Sequence, residues 1–514
     1  MSRLVLFVFT LLVVALHAVE VPPNMVVFLA DDMGMGDTSV YQDWSGNADS
    51  AQLYTPSMER LAASGIRFMD AHSPSSRCSP TRYALLTGRY CWRTSLKHWV
   101  LFGVHCDPLI EQEIRTLPEF LRAEAGYLNG LVGKWHLGLT YTRGDGTPAD
   151  GWEDADLTKG LTNGPLNHGF DFFHGISRSH GTSGPSSAKR PNTPNQTTGP
   201  GWIRGRTITG VTTEGKKLDG SYVLDEIGPI LHRSAMEFLA TSKEKPFFLY
   251  FASPANHGPH TPCEEIAGRQ VRGASVFKDG KPTKSKRLDF IYENDVQLGL
   301  LLDHLSETDD PRRPGYPLIE NTLVIFASDN GAEIKAKTAT GPLRSHKGST
   351  YEGGHRIPFI ASWPMGGIVG KSESRRLLGL NDLYATLADI LKKPLFKKDA
   401  VDSYSQLRAL RGEETAPRGP LFPNDHKEAS RKLSDERAWV AVRSNGAPVP
   451  GQWKLFLDHQ FAYEGQIRPM ELYDLSRDPK EEKNLLHGED AKPVLEFFLK
   501  SAALAQGNNG RTRT

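Results

Sequence analysis

The segment Cys78-Ser79-Pro80-Thr81-Arg82 sets a thiol and a guanidinium four residues apart. The residues that follow, with Leu85 and Leu86 apolar and Gly88 near the end, read as a helix. Cys78 then stands at or just before a helix N-terminus, a place that favours anions, and Arg82 turns back toward the same spot. A cysteine so placed fits a nucleophile of lowered pKa, a buried structural thiol or half of a disulfide, and spacing does not choose among them. Two polar pairs, Asp31-Asp32 and Asp329-Asn330, each follow directly on an apolar run. Gathered at one sheet edge, three carboxylates and an amide oxygen repel one another without a cation, and an all-oxygen set suits Ca²⁺ or Mg²⁺. No clustered His or Cys ligands point to Zn²⁺. Either pair alone reads as a turn or a helix cap; the two together read as a metal site.

Lys134 and His136 are two apart on what reads as a strand end, which would turn both to one face. A lysine there supplies positive charge, and a histidine exchanges a proton near neutral pH. Lys347 lies in a Gly-rich loop, and the loop from Phe251 to Pro262 offers His257 and His260. Taken singly, the two lysines fit solvated surface charges and the two histidines fit exposed loop residues.

These groups need a scaffold, and the apolar runs predict one. Met25–Ala30, Pro246–Ala252 and Thr322–Ser328 are near-continuous and apolar, as strands of a parallel sheet covered on both faces are. Helical patterns alternate with them. One runs from Pro56 to Ser64 behind Thr55 as N-cap, a second from Leu288 to Leu305, a third from Asn381 to Leu391. Strand and helix in alternation predict an α/β sandwich, with ligands at the carboxyl edge of the sheet. Gly181–Gly220, rich in Gly, Pro, Ser and Thr, predicts a long surface excursion, our candidate for a substrate-facing wall by analogy. A Pro-containing charged stretch, Ala416–Ser434, precedes a smaller unit with strand-like runs at Ala438–Val442, Trp453–Leu457 and Met470–Asp474 and a helical tail.

Arg3 followed by an apolar run from Leu4 to Leu16 and by Ala18 reads as a secretory signal over residues 1–18. No later run has the unbroken apolar length of a membrane span. The expected destination is periplasmic, extracellular or lysosomal, with no stable membrane insertion after cleavage. With 61 basic and 60 acidic side chains in 514 residues the net charge is +1, which excludes a chain-wide basic footprint for nucleic acid. Asn195-Gln196-Thr197 is a glycosylation sequon.

Cys78-Ser79-Pro80-Thr81-Arg82 with Leu86-Thr87-Gly88 closely resembles the maturation signature of the type I sulfatases, of the arylsulfatase and N-acetylgalactosamine-6-sulfatase kind. Ala30-Asp31-Asp32-Met33-Gly34, Gly133-Lys134-Trp135-His136, His168-Gly169-Phe170-Asp171, Ser328-Asp329-Asn330-Gly331, His346-Lys347-Gly348 and Glu471-Leu472-Tyr473-Asp474 fall in the same order as in that family. The resemblance implies an alkaline-phosphatase-like α/β/α sandwich with a large mixed, mostly parallel sheet over 19–415. It also implies a C-terminal α+β subdomain with an antiparallel sheet over 416–514. It implies that a maturation enzyme oxidises Cys78 to Cα-formylglycine, whose hydrated aldehyde attacks sulfur. One Ca²⁺ would be held by Asp31, Asp32, position 78, Asp329 and Asn330. Arg82, Lys134 and Lys347 would neutralise sulfate oxygens. The acid for the leaving alcohol would be His260, which precedes a residue and then Pro, with His257 as second choice, and His136 would take the proton that expels sulfate. The implied substrate is an aryl or carbohydrate sulfate. Two rivals stand beside this reading: a phosphate or phosphonate ester hydrolase on the same fold, and a non-catalytic binder of sulfated glycans. With Cys78 converted, Cys91 and Cys106 are the expected disulfide and Cys263 is left free.

Overall fold

Strand β1 (Asn24–Ala30) is buried along its whole length, and its alternate side chains serve two different layers. Met25, Val27 and Leu29 pack in one cluster with Leu85, Leu86, Phe120 and Leu121, while Val26, Phe28 and Ala30 pack in another with Met58, Leu61, Phe238, Leu298 and Leu301. A period of two with both phases apolar means a helical layer on each face. The computed structural model describes residues 21–45, 52–101, 107–150, 154–183, 201–209, 222–242, 244–429, 438–446 and 449–507. The expected signal peptide, Asn195 and Cys106 lie outside these residues.

Among the described residues the large sheet has ten strands. Besides β1 these are β2 (Ile66–His72), β3 (Leu128–Lys134), β4 (Phe172–Ile176), β5 (Trp202–Arg204), β6 (Thr207–Thr209) and β7 (Phe247–Ala252). A two-stranded hairpin, β8 (Glu265–Ile266) with β9 (Arg269–Gln270), stands apart from it. The sheet continues with β10 (Thr322–Ser328), β11 (Phe359–Ser362) and β12 (Ser372–Gly379). The spatial order is β12-β2-β11-β10-β1-β7-β3-β4-β5-β6, and the run from β10 to β4 is parallel throughout. The mixed character comes from β11, β5 and β6, which run antiparallel to their neighbours.

One face is covered by α2 (Cys78–Thr87) and α3 (Leu117–Ala125), the other by α1 (Pro56–Ser64), α5 (Ile227–Thr241) and α6 (Lys286–Glu307); a single turn, α4 (His180–Ser183), precedes β5. Helix α1 has its predicted bounds, but Thr55 does not cap it through its side chain. The Thr55 hydroxyl is 2.8 Å from that of Thr38 and 3.0 Å from that of Ser39. The amides of Ser57 and Met58 donate instead to the buried Asp295 carboxylate of α6, at 3.1 and 2.8 Å, so the cap comes from a neighbouring helix. The helix expected over 381–391 is a short turn, Leu380–Asp382, running into Leu383–Ile390. The Gly181–Gly220 excursion needs a correction too. Its described part returns to the sheet as β5 and β6, with Trp202 and Ile203 buried, because two apolar residues amid Gly and Pro suffice for a short edge strand.

The smaller unit is an antiparallel sheet, β13 (Asn424–Asp425), β14 (Trp439–Asn445), β15 (Gln452–Leu457) and β16 (Pro469–Asp474), with a final helix Lys492–Gly507. Its core is shared with the larger unit: Tyr90, Trp92 and Leu377 cluster with Val440, Leu455 and Phe498. Buried charges cross the same junction. Arg443 donates to Asp70 at 2.9 Å, and Lys454 lies 3.2 Å from Glu352 and 2.9 Å from Glu481. Between them runs an ordered chain: the Lys454 ammonium is 3.1 Å from His355 Nε2, the two Nδ1 atoms of His355 and His72 are 2.9 Å apart, and His72 Nε2 is 2.9 Å from Asp70. Neutral rings satisfy this chain if His355 Nδ1–H donates to His72 and His72 Nε2–H donates to Asp70. Among the described residues no helix is long and apolar enough to cross a membrane.

Candidate active site

The register of β1 against β10 pairs Ala30 with Ser328, so both polar pairs emerge on one rung of the sheet's carboxyl edge. Asp32 turns there with φ of 61°, its amide donating to Asp329 Oδ1 at 3.3 Å, and the Met33 amide donates to Ser328 Oγ at 2.8 Å. The N-terminus of α2 points into the same edge. Cys78 Sγ lies 3.7 Å from Asp31 Oδ1, and donor atoms of Asp31, Asp32, Cys78 and Asp329 all fall within 4.8 Å of one another.

Three cations close around this cluster. Arg82 reaches Asp329 Oδ2 through Nε at 3.1 Å and Nη2 at 2.8 Å, and its Nη1 donates to the Lys134 carbonyl at 3.1 Å. Lys134 Nζ is 2.6 Å from Asp31 Oδ2, and Lys347 Nζ is 2.5 Å from Asp32 Oδ1. Arg82 and Lys134 are fully buried together with their carboxylates. Tyr250, an unremarkable core residue in the sequence, adds its hydroxyl 3.5 Å from Arg82 Nη1.

Burial, then the neighbouring Asp329, pushes Asp31 up to about 8. Burial would raise Asp32 also, but Lys347 and then His257 override it and hold that carboxyl below the ordinary range. Burial and a second carboxylate both drive Asp31 toward its proton, and a divalent cation bound between them would oppose both. Asn330 fits the same need. Its Nδ2 donates to Asp32 Oδ1 at 2.8 Å, while its buried Oδ1 has no hydrogen-bond partner among the described residues. Three carboxylates and a lone amide oxygen suit a hard divalent cation. Burial pushes the Cys78 thiol up to about 12 despite Lys134 and Lys347, so at neutral pH it is no thiolate, and it is not in a disulfide.

The histidines are distributed differently from expectation. Strand β3 ends at Lys134, and His136 follows it at φ 58°, so strand alternation does not relate the two. His136 Nε2 is 3.1 Å from the Leu101 carbonyl, and its buried Nδ1 has no partner among the described residues. Burial, then Lys134 and Arg82, holds His136 well below its ordinary value, so the ring is neutral. His257 is depressed by burial and then by Lys347, with Asp32 opposing. Its Nδ1 is 2.8 Å from the Gly258 carbonyl. His260 faces Glu333 instead, Nε2 to Oε1 2.5 Å, with about a quarter of its side chain exposed. His180, which no sequence spacing marks, reaches the same loop: its Nε2 is 2.6 Å from the Pro259 carbonyl. Cys91 carries a buried free thiol 3.5 Å from the Thr94 hydroxyl, and Cys106, the partner expected for it, lies outside the described residues.

With this geometry in hand, comparison with known proteins is direct. The family model described as Sulfatase matches residues 23–393. The chain is 32% identical to human arylsulfatase A over 500 residues, covering 92% of this chain and 85% of the relative. It is 29% identical to the N-acetylgalactosamine-6-O-sulfatase of Bacteroides thetaiotaomicron, covering 90% and 89%. Among solved structures, the PsFucS1 sulfatase of Pseudoalteromonas superposes with a TM-score of 0.66 at 24% identity, covering 95% and 92%. The phosphonate monoester hydrolase of Agrobacterium radiobacter gives 0.56 at 17% identity, covering 94% and 96%, a likeness of fold alone.

Proposed function

The chain belongs to the sulfatase family of sulfuric ester hydrolases, and from that premise we propose that it cleaves aryl or carbohydrate sulfate monoesters at Cys78 after oxidation to formylglycine. The observation that carries this is the position of Cys78, within reach of three carboxylates and flanked electrostatically by Lys134 and Lys347. Formylglycine, hydrated, supplies a hydroxyl nucleophile and a second hydroxyl through which sulfate can be released, which neither Cys nor Ser offers. Asp31, Asp32, Asp329 and Asn330 are the residues that would hold Ca²⁺, which supplies positive charge next to the sulfate oxygens.

The chain's own residues do the rest. Lys134 and Lys347 sit on carboxylates that a bound cation would also neutralise, which releases part of their charge toward the ester oxygens. Arg82, fixed in the Asp329 fork, holds the edge of the site rigid and positive. We assign the leaving-group acid to His257 rather than His260, because His257 interacts with Lys347 and Asp32 while Glu333 engages His260. Its Nδ1–H donates to Gly258, so the proton it delivers is carried on Nε2; burial and then the lysines depress the ring, and the negative charge of a bound ester opposes them. His136, neutral and buried, has the lone pair to accept the proton whose loss frees sulfate. Export follows from Arg3 and the apolar run after it, and a maturation enzyme is the required partner.

Mass spectrometry of the peptide spanning Ser76 to Arg82 is the decisive test, with an aldehyde expected in place of the thiol. An unmodified thiol throughout an active preparation overturns the reading. Cys78→Ala is expected to abolish turnover, and sulfate and phosphate esters of one alcohol, assayed in parallel, should favour sulfate; faster phosphate turnover overturns the substrate class.

A further inference from the structure

We propose that His180 is a positioning residue for the leaving-group acid, gripping the His257-Gly258-Pro259 turn so that His257 meets the ester oxygen; this rests on the assignment of His257 above. His180 is fully buried, and its Nε2–H donates to the Pro259 carbonyl at 2.6 Å. Its ring stands edge-on to that of His257 at 6.3 Å and packs on Phe290 at 5.2 Å. The backbone beneath it is pinned as well, since the Tyr222 hydroxyl donates to the His180 carbonyl at 2.8 Å. The next residue leaves the turn no slack: a Cβ on Gly181 would lie 2.5 Å from Pro259 Cδ.

The Pro259 carbonyl can only accept, so it fixes the His180 proton on Nε2, while burial, which pushes the ring down to about 4, keeps it neutral. On the far side of the turn His260 meets Glu333. Pro259 and His260, two and three residues beyond His257 on its loop, are thus each held by a partner, and His257 is the side chain left to act. An acid held this way loses efficiency when the grip is released, because proton transfer depends steeply on heavy-atom distance and alignment.

The test separates this role from mere stability by varying the leaving group. Aryl sulfates spanning 4-nitrophenol to phenol need an acid increasingly, since phenol leaves poorly as an anion. His257→Ala is expected to lose about 10²-fold more kcat/KM on phenyl sulfate than on 4-nitrophenyl sulfate, the range of general acid catalysis. His180→Leu should show the same steepening at about tenfold, and His180→Gln, which keeps an N–H of similar reach, should restore most of it. In the double variant, His180→Leu should add nothing to His257→Ala across the series. A uniform loss over all leaving groups in His180→Leu, with His257→Ala steep, overturns this inference alone. A flat series for His257→Ala overturns the acid assignment beneath it. Should the His180→Leu chain fail to fold, Gly181→Ala displaces Pro259 from its other side and must show the steepening; uniform loss there overturns the inference equally.

Discussion

Arg82 shows how much one residue type decides at this site. Its fork places Nε and Nη2 on a single oxygen of Asp329 while Nη1 satisfies the Lys134 carbonyl, three bonds that an ammonium cannot span. Arg82→Lys keeps the charge yet leaves a buried carbonyl or carboxylate short of a partner; a loss of about 10²-fold in kcat is expected, measured at saturating substrate. Chelation by EDTA is expected to abolish activity and lower Tm, with recovery on adding Ca²⁺, because Asp31 and Asp329 then face each other without a cation. Cys78, Arg82 and the two polar pairs were legible as candidates because each sits at a fixed offset from a strong periodic run. The proposed acid was not, since His-x-Pro occurs twice, at His257-Gly258-Pro259 and His260-Thr261-Pro262. Only the folded loop distinguishes the histidine that feels Lys347 and Asp32 electrostatically from the one held by Glu333.

Elements carry the next layer of specification. Lys347 reaches Asp32 from a loop that threads against the short helix Glu352–His355, where a Cβ on Gly354 would sit 1.9 Å from the Ser349 carbonyl. Gly354→Ala must therefore displace that loop, and a joint fall in Tm and kcat is expected from thermal unfolding and steady-state assays. The same helix meets β2 and β15 through the His355–His72 pair, whose neutrality makes a pH prediction. Burial chiefly, with Arg443 helping, lowers His72, while Glu352 and Asp70 oppose the shift. The folded chain thus declines a proton that the unfolded chain accepts, so this contribution is complete above about pH 6.5 and is lost as pH falls. Glu481 on the same network, raised to about 7 by burial, has the opposite sign but is common to wild type and variant. His72→Gln should cost about 1–3 kcal/mol at pH 7.5, measured by urea unfolding, and the gap should narrow toward pH 5. A gap independent of pH contradicts neutral rings. The strands β1, β7 and β10 were readable to within a residue or so because burial on both faces leaves an unbroken apolar run. The β5–β6 edge was not, since three-residue strands carry too little periodicity to stand out from their Gly- and Pro-rich surroundings.

At the scale of the whole molecule the two sheets behave as one object. Asp70 and Glu352 belong to the larger unit, yet Arg443 and Lys454, which neutralise them, come from the smaller. Separating the units would strand buried charges at several kcal/mol each and open the core that Trp92 shares with Phe498. A single calorimetric transition is expected, with van't Hoff and calorimetric enthalpies in agreement, and a chain ending at residue 415 is expected not to fold. The near-zero net charge is no obstacle to an anionic substrate, because Arg82, Lys134 and Lys347 already balance Asp329, Asp31 and Asp32, so a divalent cation held there would leave the site locally positive.

The burial of Cys78 also sets a clock. In the folded protein Cys78 is 1% exposed, and Ser79, Thr81 and Arg82 are wholly covered, so any catalyst that converts the thiol must read this segment earlier. Part of that cover is Asp329, 247 residues further along the chain. At about 5–20 residues per second, a ribosome needs roughly 12–50 s to deliver it. If Cys78 is converted as proposed, that conversion competes with synthesis and folding rather than with catalysis, and the fraction of converted molecules is set in those seconds.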